Sequence, residues 1–179
     1  VNAVAVRPGY WGTHNDFGGF YYRLGRYTEA EKEFRSVVDL TPDNARGYSN
    51  LGVVAFAQKN YEDAAKMFEK SAAIKPADLV YANLGTLYYT LGRYAEAARY
   101  YEQAIQINGR DSLWWHNLGA AYQLSGQSQK ANAAFKRTAE LAEQERRINP
   151  RDSVVLIRLA DAYANLKKLR EARDFLQQG

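Results

Sequence analysis

Leu84-Gly85-Thr86-Leu87-Tyr88-Tyr89-Thr90-Leu91-Gly92-Arg93-Tyr94-Ala95-Glu96-Ala97 is the most telling run in this 179-residue chain. Entering it, Tyr81, Leu84, Tyr88 and Leu91 fall at i, i+3, i+7 and i+10, which places them on one stripe of a helix. Leu91-Gly92-Arg93 then breaks the period, with glycine supplying the dihedral angles of a helix C-terminus. A second stripe follows in Tyr94, Ala97, Tyr101, Ala104, Ile105 and Ile107. The small residues Gly85, Ala97 and Ala104 let two such helices approach to about 8–10 Å. The run therefore reads as a helix–turn–helix hairpin with two apolar stripes. A lone hairpin cannot bury both, so it needs neighbours.

Outward from this run the pattern recurs. A Leu-Gly-like pair appears as Phe17-Gly18, Leu51-Gly52, Leu84-Gly85, Leu118-Gly119 and Leu159-Ala160, in steps of 34, 33, 34 and 41 residues. A second anchor, Ala30, Ala64, Ala97, Ala131 and Ala172, moves by the same steps. With positions numbered from 1 to 34 inside each repeat, position 4 holds His14, Tyr48, Tyr81, Trp115 and Leu156. Position 11 holds Tyr21, Ala55, Tyr88, Tyr122 and Tyr163. Position 24 holds Phe34, Phe68, Tyr101, Phe135 and Leu176, and position 32 holds Pro42, Pro76, Gly109 and, after an insertion, Pro150. Lys59 stands where Gly25, Gly92 and Gly126 mark the turn, and Ser128 and Leu169 stand where Tyr27, Tyr61 and Tyr94 open the second helix.

On these residues the repeats resemble the tetratricopeptide repeat, a 34-residue helix–turn–helix motif, over essentially the whole chain. The resemblance implies an all-α, right-handed α-solenoid (superhelix) of about five units. The expected boundaries are 1–9 as the remnant of a preceding repeat helix, 10–44, 45–77, 78–111, 112–152 with an extended second helix, and 153–179 with a truncated second helix. Ala3-Val4-Ala5-Val6-Arg7-Pro8 matches positions 27 to 32, as Val37 to Pro42 do, so a window cut from a longer protein is expected. The extension lies in Ser128 through Ile148, and its seven extra residues add about 10 Å of helix while nearly keeping its face. It reads as a solvated helix bridged by pairs such as Glu143 with Arg147.

Composition agrees with a repeat core. The 14 Tyr and 3 Trp fill the space between repeats. With 24 Lys plus Arg against 20 Asp plus Glu, spread evenly, there is no basic face of the kind a nucleic-acid binder carries. No cysteine is present, which excludes thiol nucleophiles and Cys-based metal sites. His14 and His116 sit in no metal-ligand spacing, no glycine-rich phosphate loop follows a strand, and the paired carboxylates Glu31 with Glu33 and Glu143 with Glu145 lie on exposed faces. The reading is thus not an enzyme, with no cofactor, no metal, no nucleic acid and no membrane contact from this window. No compartment is assigned.

Function is expected on the concave face lined by the first helix of each unit. Position 6 carries Asp16, Asn50, Asn83, Asn117 and Arg158. An amide donates and accepts at once, which suits the alternating N–H and C=O groups of an extended peptide. The row resembles the asparagine ladder with which the repeats of O-GlcNAc transferase hold peptide backbones, and the bland reading is that these amides bond to a neighbouring helix. Tyr22, Phe56 and Tyr89 at position 12, with Arg46, Thr86 and His116 nearby, are candidate anchors or inter-repeat packing. Trp115 is expected in the core, and Trp114 is a candidate exposed aromatic or a buried one. The lysine and asparagine clamp for acidic C-terminal peptides is not matched, because position 5 reads Asn15, Ser49, Ala82, His116 and Ile157. The expected partner is a protein, a peptide or another domain of the parent chain. The alternative is a structural spacer or oligomerisation element, self-associating through exposed array ends. Arg7-Pro8-Gly9-Tyr10-Trp11 and Pro42-Asp43-Asn44 also resemble repeat arrays of bacterial signalling proteins.

Overall fold

The computed structural model describes residues 10–177, and the expected helix remnant at 1–9 lies outside them. Ten helices and no strand occur among the described residues: α1 (Trp11–Arg23), α2 (Tyr27–Leu40), α3 (Ala45–Ala57), α4 (Tyr61–Ile74), α5 (Asp78–Thr90), α6 (Tyr94–Ile107), α7 (Ser112–Leu124), α8 (Ser128–Ile148), α9 (Ser153–Asn165) and α10 (Leu169–Leu176). The chain divides into two compact units, Val1–Leu87 and Tyr88–Gly179.

The turns follow one design. Gly25, Gly92 and Gly126 have φ of 71°, 74° and 79°, and Lys59 and Lys167 take the same left-handed conformation at 63° and 61°. Each turn closes with a pair of backbone hydrogen bonds, as when Arg26 N donates to Tyr21 O at 3.0 Å and Gly25 N to Tyr22 O at 2.9 Å. The same two bonds recur around Lys59, Gly92, Gly126 and Lys167. They satisfy carbonyls that the helix end would otherwise orphan. At the other end of the first helices, the side chains of Asn44, Asp111 and Asp152 accept from Gly47 N, Leu113 N and Val154 N at 3.3, 2.8 and 3.0 Å. These caps set where α3, α7 and α9 begin.

Close approach within a pair depends on a glycine facing a ring. A Cβ added at Gly52 would lie 2.6 Å from the Phe68 ring, and one at Gly119 2.8 Å from Phe135. Position 8 is therefore the floor on which the position 24 aromatic rests. In the first unit Ala30, Phe34, Leu51 and Val54 form a core cluster from α2 and α3, with Tyr21, Tyr27 and Met67 packed against it. In the second, Ala139, Ala142, Val155, Leu159 and Ala162 of α8 and α9 do the same with Tyr163 and Phe175. Each cluster draws on consecutive hairpins, so the core lies between repeats. Burial of one such Leu or Phe contributes about 1.5–3 kcal/mol.

The long helix α8 departs from the expected solvated extension. Leu141 and Ala142 are buried at 4% and 0% exposure. Glu145 accepts from the backbone N–H of Ser112, at the start of α7, at 3.2 Å and from Arg158 of α9 at 3.0 Å. Glu143 pairs with Arg146, at 3.0 Å, three residues on. The seven extra residues thus tie α8 to both adjacent first helices.

Candidate functional site

The position 6 side chains differ in how they are engaged. Asp16 is exposed on α1. Asn50 on α3 is half-buried and donates from Nδ2 to Asn15 Oδ1 of α1 at 2.8 Å, the neighbouring-helix bond of the bland reading. Asn83 on α5 and Asn117 on α7 are half-buried, and neither side-chain amide makes a hydrogen bond among the described residues. Arg158 on α9 is a structural residue here: its side chain is 12% exposed and Nη1 donates to Ser112 Oγ at 2.6 Å as well as to Glu145.

The position 12 aromatics lean on the residue that opens the next helix. Ring centroids lie 5.6 Å apart for Tyr22 and Tyr27, 5.6 Å for Phe56 and Tyr61, and 5.3 Å for Tyr89 and Tyr94. Their packing is therefore inside the hairpin, with each ring half-buried. Arg46 is exposed on the first turn of α3, and Thr86 Oγ1 donates to Ala82 O at 3.0 Å. Of the sequence-selected residues, Asp16, Tyr22, Arg46, Asn50, Phe56, Asn83 and Thr86 belong to the first compact unit. Tyr89, His116, Asn117 and Arg158 belong to the second.

His116 is half-buried, edge-on to Phe135 with centroids 6.0 Å apart, and its Nδ1 is enclosed without a hydrogen-bond partner. Burial pushes its pKa below the usual histidine value, and Arg158 adds to this while Asp161 opposes it. Trp114 takes the buried one of its two expected readings, and Trp115 departs from the core placement expected of it. Trp114 is the buried one at 9% exposure, whereas Trp115 is half-buried, with Nε1–H donating to Gly109 O at 2.9 Å. Sequence reasoning also passed over a cleft of about 540 Å³ lined by Glu102, Ile105, Trp115, Tyr122, Lys130 and Ala133 among others. Its sequence signal was an alanine, Ala134, at position 23. Among the described residues no group of three His, Cys, Asp or Glu could hold a metal, and no helix is long and apolar enough to cross a membrane.

Repeated hairpins, shared turn geometry and cores between consecutive pairs define an α-solenoid built of helix pairs. The tetratricopeptide repeat description matches residues 21–78 and again 79–111, a continuous stretch of just over half the 179-residue chain. The chain belongs to the tetratricopeptide repeat family. Among its relatives, the type IV pilus assembly protein PilF of Pseudomonas aeruginosa is 36% identical over 78 residues, covering 37% of this chain and 31% of that protein. The Hsp70-Hsp90 organizing protein of Triticum aestivum is 32% identical over 77 residues, covering 43% of this chain and 13% of that protein. The matches thus span less than a third of either relative's length. Among solved structures, that of Pseudomonas aeruginosa PilF has a TM-score of 0.76 at 21% identity, covering 94% of this chain and 74% of that one. YrrB, described as a TPR protein with an unusual peptide-binding site, has a TM-score of 0.68 at 19% identity, covering 98% and 88%. At these identities the structural likeness concerns the fold. A chain of such repeats is a protein–protein interaction module.

Proposed function

We propose that this chain is a noncatalytic module that holds an extended segment of a partner protein, or of another domain of its parent, on the face lined by its first helices. The observation that carries this reading is the pair of side-chain amides on Asn83 and Asn117, half-buried and without hydrogen bonds among the described residues. An amide without an intramolecular partner can turn to a ligand, and a peptide backbone supplies both a donor and an acceptor. Tyr22, Phe56 and Tyr89, pinned by tilted and edge-on ring contacts inside their hairpins, offer rigid ring edges at low entropic cost. The description of YrrB as having a peptide-binding site agrees with such a use of the fold. Acidic C-terminal tails are not the proposed ligand, because position 5 lacks the lysines that such tails need.

The test is an N-methyl scan. Peptides selected on the 179-residue chain from a random display library are resynthesised with single backbone N-methyl groups. Loss of binding at alternate or consecutive amides, with side chains unchanged, is expected. Affinity insensitive to every N-methyl group contradicts backbone recognition.

Self-association is a second reading, favoured by one observation on α1. Tyr10, Thr13, Asp16, Phe17 and Phe20 line an apolar hollow of about 380 Å³, with Tyr10 and Phe20 50% and 47% exposed. Light scattering from micromolar to millimolar concentration tests it, and a constant monomer mass rules it out.

A further inference from the structure

The cleft at Trp115 is best understood against the repeats beside it. In the third and fifth hairpins the position 11 tyrosine has a ring from position 23 of its own repeat stacked on it. Tyr88 and Tyr100 lie 5.2 Å apart with planes 10° from parallel, and Tyr163 and Phe175 lie 5.5 Å apart at 9°. A cation also sits over each tyrosine, Arg93 at 4.5 Å from the Tyr88 centroid and Lys168 at 5.5 Å from that of Tyr163. In the fourth hairpin the place of Arg93 and Lys168 is taken by Gln127, and the cation over the tyrosine comes instead from position 19, with Lys130 Nζ 5.1 Å from the Tyr122 centroid. The ring is lacking, because position 23 is Ala134. Position 22, on the same side, is Ala133, so between Lys130 and Arg137 α8 presents only two methyl groups to the cleft of about 540 Å³ between itself, α6 and α7.

The second hairpin has a smaller hollow, of about 280 Å³, at the corresponding place. There Met67 at position 23 packs against the core cluster, and Lys70 Nζ lies 4.3 Å over the ring of Tyr48 at position 4, leaving Tyr48 only 7% exposed. In the fourth hairpin the residue corresponding to Lys70 is Arg137. It lines the cleft and pairs with Glu140, at 2.8 Å, and Trp115 at position 4 stays half-buried in the cleft wall.

The charged residues lining the cleft are two cations, Lys130 and Arg137, and one carboxylate, Glu102, which accepts a hydrogen bond from the Tyr122 hydroxyl. Burial and that hydrogen bond hold the Tyr122 phenol well above the usual tyrosine range, so it remains a donor. Lys130 in the cleft is exposed and makes no ion pair among the described residues. Lys130 is flexible and lies over the place of the missing ring, so it can swing outward towards an incoming carboxylate.

We infer that the cleft between α6, α7 and α8 is a second docking site, which takes an aromatic side chain from an acidic segment of a partner protein. The ring enters beside Trp115 and over Ala133 and Ala134, supplying what Tyr100 and Phe175 supply in their own repeats. Carboxylates flanking it meet Lys130 and Arg137. This site does not depend on the reading of Asn83 and Asn117.

The probes are the capped pentapeptide Glu-Glu-Phe-Glu-Glu, its Glu-Glu-Ala-Glu-Glu counterpart and Lys-Lys-Phe-Lys-Lys, titrated calorimetrically into the whole 179-residue chain at low salt. The acidic Phe peptide is expected to bind at least tenfold more tightly than either control. Ala134→Phe, which supplies the ring from within, and Lys130→Glu are each expected to weaken it at least tenfold, while Asn83→Ala and Asn117→Ala leave it unchanged. Lys130→Glu changes only an exposed side chain, so it decides the matter should Ala134→Phe not fold. No measurable binding, equal affinity for the Ala peptide, or unchanged affinity in a folded variant overturns the proposal.

Discussion

Lys59 and Lys167 sit at φ of 63° and 61°, where the other three turns use glycine. A side chain held in this region costs about 1–2 kcal/mol, part of which glycine gives back through its looser unfolded chain. Lys59→Gly is therefore expected to stabilise the protein by about 0.5–1 kcal/mol, read as a rise in the thermal midpoint. Gly52 is the opposite case. A methyl there meets the Phe68 ring at 2.6 Å, so Gly52→Ala should cost about 1–3 kcal/mol in denaturant unfolding despite alanine's better helix propensity. His116 gives a pH dependence. Its folded pKa lies below the ordinary value of 6.5, so as pH falls through that value the unfolded chain takes up a proton that the folded protein refuses. Stability from neutral His116 is full above that value and is lost as pH falls towards the folded pKa. His116→Gln should remove this loss, which appears as a smaller drop in stability between pH 7.5 and 5.5 than the parent shows. The turn glycines and the lysine that replaces one of them were legible in the sequence, because position 15 needs a left-handed residue. The partial exposure of Trp115 was not. Trp114 and Trp115 lie in one turn of helix, and which ring is covered depends on side chains brought in from elsewhere.

At the scale of the element, α8 shows how far spacing carries. The 41-residue step announced a longer helix, and Ser128–Ile148 is its observed extent. What the extension does was hidden, because Glu145 meets residues 33 positions before and 13 after it. A local charge pattern cannot show that. The carboxylate caps the start of α7 and neutralises Arg158, whose side chain is 12% exposed. Glu145→Ala leaves that cation with Ser112 Oγ alone, and a cost of about 1–3 kcal/mol is expected, moderated by the partial exposure of Glu145. Faster hydrogen exchange in α9, with α3 and α4 unchanged, should accompany it. The hairpin pairing of the helices was legible for a simpler reason: both stripes and the turn between them are written within one 34-residue period.

Across the whole molecule, stability and recognition divide between the same repeated positions. Positions 8, 20 and 24 build the core and admit little change, while positions 6 and 12 of the first helices vary at modest structural cost. That division made the repeat class readable from the chain alone, and also limited how well the site could be read. The residues of position 6 meet three fates: Asn50 bonds to Asn15, whereas Asn83 and Asn117 stay without hydrogen bonds among the described residues, and Arg158 is drawn into a structural pair. Identity at a repeat position does not say which neighbour has reached the amide first. The proposal that the first-helix face reads an extended backbone rests on the amides left over. Each is expected to contribute about 0.5–1.5 kcal/mol per hydrogen bond made. The most direct measurement is the dissociation constant of a display-selected peptide for the 179-residue chain and for Asn83→Ala/Asn117→Ala, with Ala134→Phe as the control for the cleft at Trp115. The account predicts at least tenfold weaker binding to the asparagine variant and no change in the control; unchanged binding to a folded asparagine variant would contradict it.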